Sequence, residues 1–100
     1  MVAISRAVIL LGTAALSGIA MADNCKTGLF YCGKGLLNKG NYYTQIVDAL
    51  NGATPPQPTD TTHVRESLFY CVGGPNGDIT FQTFCSGGCK DGGSGKSDHC

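Results

Sequence analysis

The chain has 100 residues, with seven cations, seven anions and no tryptophan, which suffices for one small domain but not for a large hydrophobic core. Charges of both signs are interspersed along it, with no basic stripe and no long acidic run. That pattern argues against nucleic-acid binding, against charge-driven membrane lysis and against a defensin-like cationic peptide.

The first 22 residues read as a secretory leader. Arg6 and the amino terminus make a positive start, Ala7 to Leu16 is a ten-residue apolar run, and Ala20-Met21-Ala22 supplies the small residues of a cleavage site before Asp23. The apolar stretch to Ala22 covers sixteen residues, short of the roughly 20 that span hydrocarbon. Cleavage leaves residues 23 to 100 as one secreted domain with six cations and seven anions. No Asn-x-Ser/Thr sequon follows the leader, so N-glycosylation is not expected.

All six cysteines, Cys25, Cys32, Cys71, Cys85, Cys89 and Cys100, lie after the leader. An even count in a short secreted chain reads as a disulfide framework, which a domain of this size needs because its core alone supplies only about 3 to 5 kcal/mol. Spacing leaves the pairing open and disfavours only the short Cys85 to Cys89 bridge.

In chain order, Thr27 to Gly33 is an aromatic run bounded by glycine that suits a short buried strand. Tyr43, Ile46, Val47 and Leu50 recur at helical spacing, which predicts one amphipathic helix with Asn41 as N-cap and Gly52 as a left-handed C-cap. Ala53 to Thr62, with three prolines and four threonines, reads as an exposed linker. Ser67 to Val72 and Ile79 to Cys85 flank a turn at Gly73 to Asp78 and read as a hairpin. Alternation in its second arm assigns Ile79, Phe81, Thr83 and Cys85 to one face and Thr80, Gln82 and Phe84 to the other. The glycine-rich tail from Ser86 is expected to be held through Cys89 and Cys100. The predicted fold is therefore α+β: a small disulfide-stapled domain with one helix packed on a short antiparallel sheet.

Leu-Phe-Tyr-Cys occurs twice, in GLFYCGKG at Gly28 to Gly35 and in SLFYCVGG at Ser67 to Gly74. Two neighbouring core strands packing aromatics around disulfides account for this better than a duplicated binding motif. Gly92 to Ser97 resembles the end of a phosphate loop but has neither a strand before it nor room for a helix after it. Cys85, Cys89, His99 and Cys100 could be drawn as a zinc site, yet an oxidising route favours disulfides over thiolates. His63 and His99, the only histidines, are expected on the surface. With Asp48, Asp60, Glu66 and Asp78 scattered, no catalytic constellation emerges and no enzymatic activity, cofactor or metal is expected.

The leader, NCKTGLFYCG near the new N-terminus, NYYTQIVDAL behind it and FCSGGCK before a terminal cysteine together resemble the small secreted cysteine-rich proteins of filamentous fungi, many of them candidate effectors. The chain departs from hydrophobins, which have eight cysteines with adjacent pairs. The resemblance implies an extracellular protein of the apoplast or host-fungus interface, with Cys32, Cys71, Phe30, Tyr31, Phe69 and Tyr70 at scaffold positions. The expected function is a non-enzymatic effector or elicitor, acting as a monomer that binds a host protein or cell-wall polysaccharide without membrane insertion. Loops such as Thr59 to His63 and Gly73 to Asp78 are the expected contact sites. The alternative is a killer-toxin-like or antimicrobial protein, which a near-neutral surface would oblige to use a specific receptor.

Overall fold

A computed structural model of the protein describes residues 24–100; the expected leader lies outside the described residues. Among the described residues six elements follow one another: β1 (Phe30–Cys32), α1 (Gly33–Lys39), α2 (Tyr43–Asn51), α3 (Thr61–Glu66), β2 (Ser67–Gly73) and β3 (Asp78–Phe84). The strands form one antiparallel sheet in the order β1-β2-β3. The α+β architecture is as expected, but three short helices stand where one was predicted.

The two Leu-Phe-Tyr-Cys segments lie side by side. Phe30 pairs with Tyr70, Tyr31 with Phe69 and Cys32 with Leu68, and the Cys71 N–H donates to the Leu29 carbonyl at 2.9 Å. Antiparallel pairing brings each aromatic opposite an aromatic, so the repeated sequence reflects sheet packing. Tyr31, Phe69 and Cys71 belong to the larger core with Leu36, Tyr42, Ile46, Leu50 and Val64. Phe30, Cys32 and Leu68 belong to a second cluster with Cys85 and Cys89. Helices therefore cover one face of β1-β2 and the disulfide-linked tail covers the other.

Three disulfides join Cys25 to Cys71, Cys32 to Cys89 and Cys85 to Cys100, and no cysteine is free. The first ties the N-terminal segment to β2. The second ties the β1–α1 junction to the tail, and the third closes the tail onto the end of β3.

Several local expectations are revised. Helix α1 has a poor intrinsic sequence, GKGLLNK, with two glycines that each weaken a helix by about 1 kcal/mol. It forms because Gly33 lets it approach α3 where a Cβ would collide with the Val64 carbonyl, and because Leu36 is fully buried there. Helix α2 is present, but its N-cap is Tyr42 rather than Asn41, and Gly52 ends it at φ −84°, in right-handed rather than left-handed geometry. Its buried face is Tyr42, Ile46 and Leu50, while Tyr43 is 55% exposed. The linker stops at Asp60, whose carboxylate accepts from the His63 N–H at 2.8 Å and caps α3. In β3 a register irregularity opposite Leu68 and Phe69 leaves Gln82 unpaired. Ile79 and Phe81 pack on the core as predicted, but Thr83 is exposed and Phe84 is partly buried, because a bulge reverses the alternation beyond it.

Candidate ligand-binding cleft

The tail does more than carry cysteines. It runs along the free edge of β1: the Phe30 N–H donates to the Ser97 hydroxyl at 2.9 Å, the Asp98 N–H donates to the Phe30 carbonyl at 2.8 Å, and the Cys32 N–H donates to Asp98 Oδ2 at 2.9 Å. Asp98 Oδ1 also accepts from the Gly92 N–H at 2.8 Å, and a bridge between Lys90 and His99 closes the loop. This is how the edge strand is protected from pairing with another chain. The segment Gly92 to Ser97 therefore follows a defined path set by hydrogen bonds as well as by the Cys32–Cys89 and Cys85–Cys100 bridges.

Between this tail, α1, the segment around Lys26 and Leu29, and α3 lies a cleft of about 670 Å³. Its walls carry Lys26, Lys34, Lys39, Arg65 and Lys96, which are five of the six cations that follow Arg6. Only Lys90 stands elsewhere. The cations come from four separate segments, so their convergence is invisible in the linear charge pattern. Among the described residues only Lys34 of these five is ion-paired, to Glu66 Oε1 at 2.8 Å.

Two anions, Asp91 and Asp98, also line the cleft, and both have backbone partners. Asp98 uses each oxygen as described, and Asp91 Oδ1 accepts from the Gly93 N–H at 2.9 Å. Tyr31 lies on one wall, with its hydroxyl accepting from the Lys26 N–H at 2.8 Å and the Lys39 ammonium 5.9 Å from its ring centroid. Asn38 and Ser94 add uncharged polar groups. Glu66 anchors the rear: the Lys34 ammonium and the Cys89 N–H, both 2.8 Å from Oε1, hold its carboxyl below the usual glutamate value.

His63, His99, Cys85, Cys89 and Cys100 do not line the cleft. His63 is not a free surface group; its ring stacks on Phe84 at 4.0 Å between centroids and its Nδ1 lies 2.8 Å from Asp60 Oδ1. Its side chain is 20% exposed. His99 is exposed as expected. Cys85, Cys89 and Cys100 are consumed by disulfides, which leaves no thiolate for the zinc site that could be drawn with His99. Of the two expected contact loops, Thr61 to His63 belongs to α3. The Gly73 to Asp78 turn is pinned from beneath: its Pro75, Asn76 and Gly77 carbonyls accept from Asn24, Gln45 and Tyr42 side chains.

Among the described residues no helix is long and apolar enough to cross a membrane. The fold and site together define a disulfide-stapled α+β domain with a cation-lined cleft. Comparison of the chain with family models, with curated proteins and with solved structures finds no match.

Proposed function

We propose that this protein is secreted and acts without catalysis, as an effector or elicitor in fungus-host interaction that binds a host protein or cell-wall component. The observation that carries the reading is the triple-disulfide scaffold, in which every cysteine is bridged. A domain so constrained resists unfolding, and with it proteolysis outside the cell. It also holds a preformed surface whose ordering cost on binding is small. The carboxylates of the cleft are engaged by backbone N–H groups, an arrangement suited to shaping a binding site rather than to proton transfer.

The test is a leaf infiltration series with the protein secreted from cells expressing the full chain, given oxidised beside reduced and alkylated, scoring oxidative burst and cell death. A response to the oxidised form alone is the expected result. Silence from both forms, with growth inhibition of competing microbes, would replace this reading by the killer-toxin-like one.

A further inference from the structure

The cation-lined cleft specifies a chemical class of ligand. We infer that it binds a carboxylate-bearing oligosaccharide of a few sugar units, an acidic fragment of an extracellular matrix. This deepens the effector reading and rests on it for the setting in which such a ligand would be met.

Charge sets the first requirement. Lys26, Lys39, Arg65 and Lys96 face the cleft with no carboxylate partner among the described residues, on a domain whose residues after the leader sum to a net negative charge. Gathering nearly all the cations of such a chain at one place makes a local positive field that attracts anions. The volume, about 670 Å³, lies within the roughly 300 to 1,000 Å³ of small-ligand sites.

The composition of the walls then selects among anions. Asp91 and Asp98 stand among the cations, so the walls offer carboxylate acceptors that sugar hydroxyls can use and a DNA phosphodiester backbone, which has no donor of its own, cannot. A single nucleic-acid strand also calls for aromatic stacking platforms. The cleft offers only Tyr31, whose face is approached by Lys39. An acidic peptide would gain most by adding to a sheet edge, but the tail already satisfies the edge of β1 through Ser97 and Asp98. An acidic sugar needs cations for its carboxylates and a mixture of donors and acceptors for its hydroxyls. Asn38, Ser94, Asp91 and the Gly95 backbone provide that mixture beside the lysines. The mixed walls thus match a ligand of alternating charge and hydroxyl groups.

The experiment is calorimetric titration of the secreted, oxidised protein with tetragalacturonate, with its fully methyl-esterified counterpart, with a single-stranded oligodeoxynucleotide and with a polyglutamate peptide. Tetragalacturonate is expected to bind and the ester to bind at least about tenfold more weakly, since each lost charge-assisted contact exceeds the tenfold threshold. The triple variant K39Q/R65Q/K96Q should weaken binding by a similar factor or more. K90Q, which removes the one Lys or Arg charge outside the cleft among the described residues, should leave it unchanged. Intact disulfides and an unaltered circular dichroism spectrum confirm that the triple variant is folded; if it is not, the three single variants are compared with K90Q instead. Absence of tetragalacturonate binding, equal binding of the ester, or equal losses in K90Q and the cleft variants would overturn the inference. Tighter binding of the oligonucleotide or of polyglutamate would replace it by a phosphate or acidic-peptide site. A leaf response without uronate binding defeats this inference and spares the effector reading, whereas uronate binding without a response does the reverse.

Discussion

Tyr42 concentrates much of the local stability. It is 2% exposed, its hydroxyl donates to the Gly77 carbonyl at 2.7 Å and accepts from the Cys25 N–H at 3.0 Å, and so it locks the N-terminal segment to the β2–β3 turn. Gly77, at φ +62°, leaves the space that hydroxyl occupies. Tyr42→Phe removes both bonds and leaves two backbone groups unsatisfied, which should cost about 1 to 3 kcal/mol in denaturant unfolding. Burial raises the Tyr42 phenol above its ordinary value. The folded value then exceeds the unfolded one, so the contribution is complete below the ordinary tyrosine range and is lost as pH rises through the folded value. Glu66 behaves in the opposite sense. The Lys34 ammonium, followed by the Cys89 N–H, lowers its folded value, so its contribution is present above the unfolded glutamate value and disappears as pH falls through the folded one. Thermal unfolding across acid pH should show the Glu66→Gln variant losing less stability on acidification than the parent. The same scan on the alkaline side should show Tyr42→Phe losing less than the parent. Gly33→Ala places a methyl against the Val64 carbonyl and should destabilise by about 3 kcal/mol, the upper range of overpacking.

At the scale of elements, the tail acts as a substitute strand for β1. Ser97 and Asp98 supply side-chain acceptors where a regular neighbour would supply carbonyls. Hydrogen exchange is the direct probe. The Phe30 and Cys32 amides should be protected in the parent, and the Cys32 amide should exchange faster in Asp98→Ala with the disulfides intact. Asp98→Asn keeps one acceptor oxygen and should retain part of that protection. Helix α3 depends on its cap in the same local way. Asp60→Ala should lower the helix's protection and Asp60→Asn should largely restore it, because asparagine also accepts from the backbone N–H.

For the whole molecule, the bridges carry unequal shares. The Cys85–Cys100 bridge closes a separation of 15 residues and the Cys32–Cys89 bridge one of 57. Loop entropy predicts that removing the longer closure costs more, by about 1.2 kcal/mol where the shorter one is worth about 3 kcal/mol. Packing acts in the same direction, because Cys32 and Cys89 are buried in the second cluster, whereas Cys100 is exposed. Paired Cys→Ser variants compared in urea should therefore rank Cys32/Cys89 below Cys85/Cys100 in midpoint. Full reduction should abolish the native circular dichroism signal, since two small clusters of side chains constitute the core.

Local chemistry carried a good part of the fold. The Leu-Phe-Tyr-Cys runs, the Ser67 to Cys85 hairpin and the periodicity around Ile46 and Leu50 announce themselves because burial imposes periods of two and 3.6 on neighbouring residues. Asp60 three residues before His63 was a cap signal of the same local kind, masked by the proline-rich stretch before it. Helix α1 was not legible, because its existence depends on Gly33 meeting Val64, a contact made across the chain. Nor was the bulge at Gln82, which requires the register of two strands. The pairing of the cysteines and the cleft have the same origin: Lys26, Lys34, Lys39, Arg65 and Lys96 are scattered in sequence, and only the packing of four segments against one another brings their charges together. Composition and period thus determined the hairpin, the paired Leu-Phe-Tyr-Cys strands, helix α2 and the need for bridges, while helix α1 and the positions of the charges in space were decided by tertiary packing, because contacts and electrostatic fields act over distance and not along the chain.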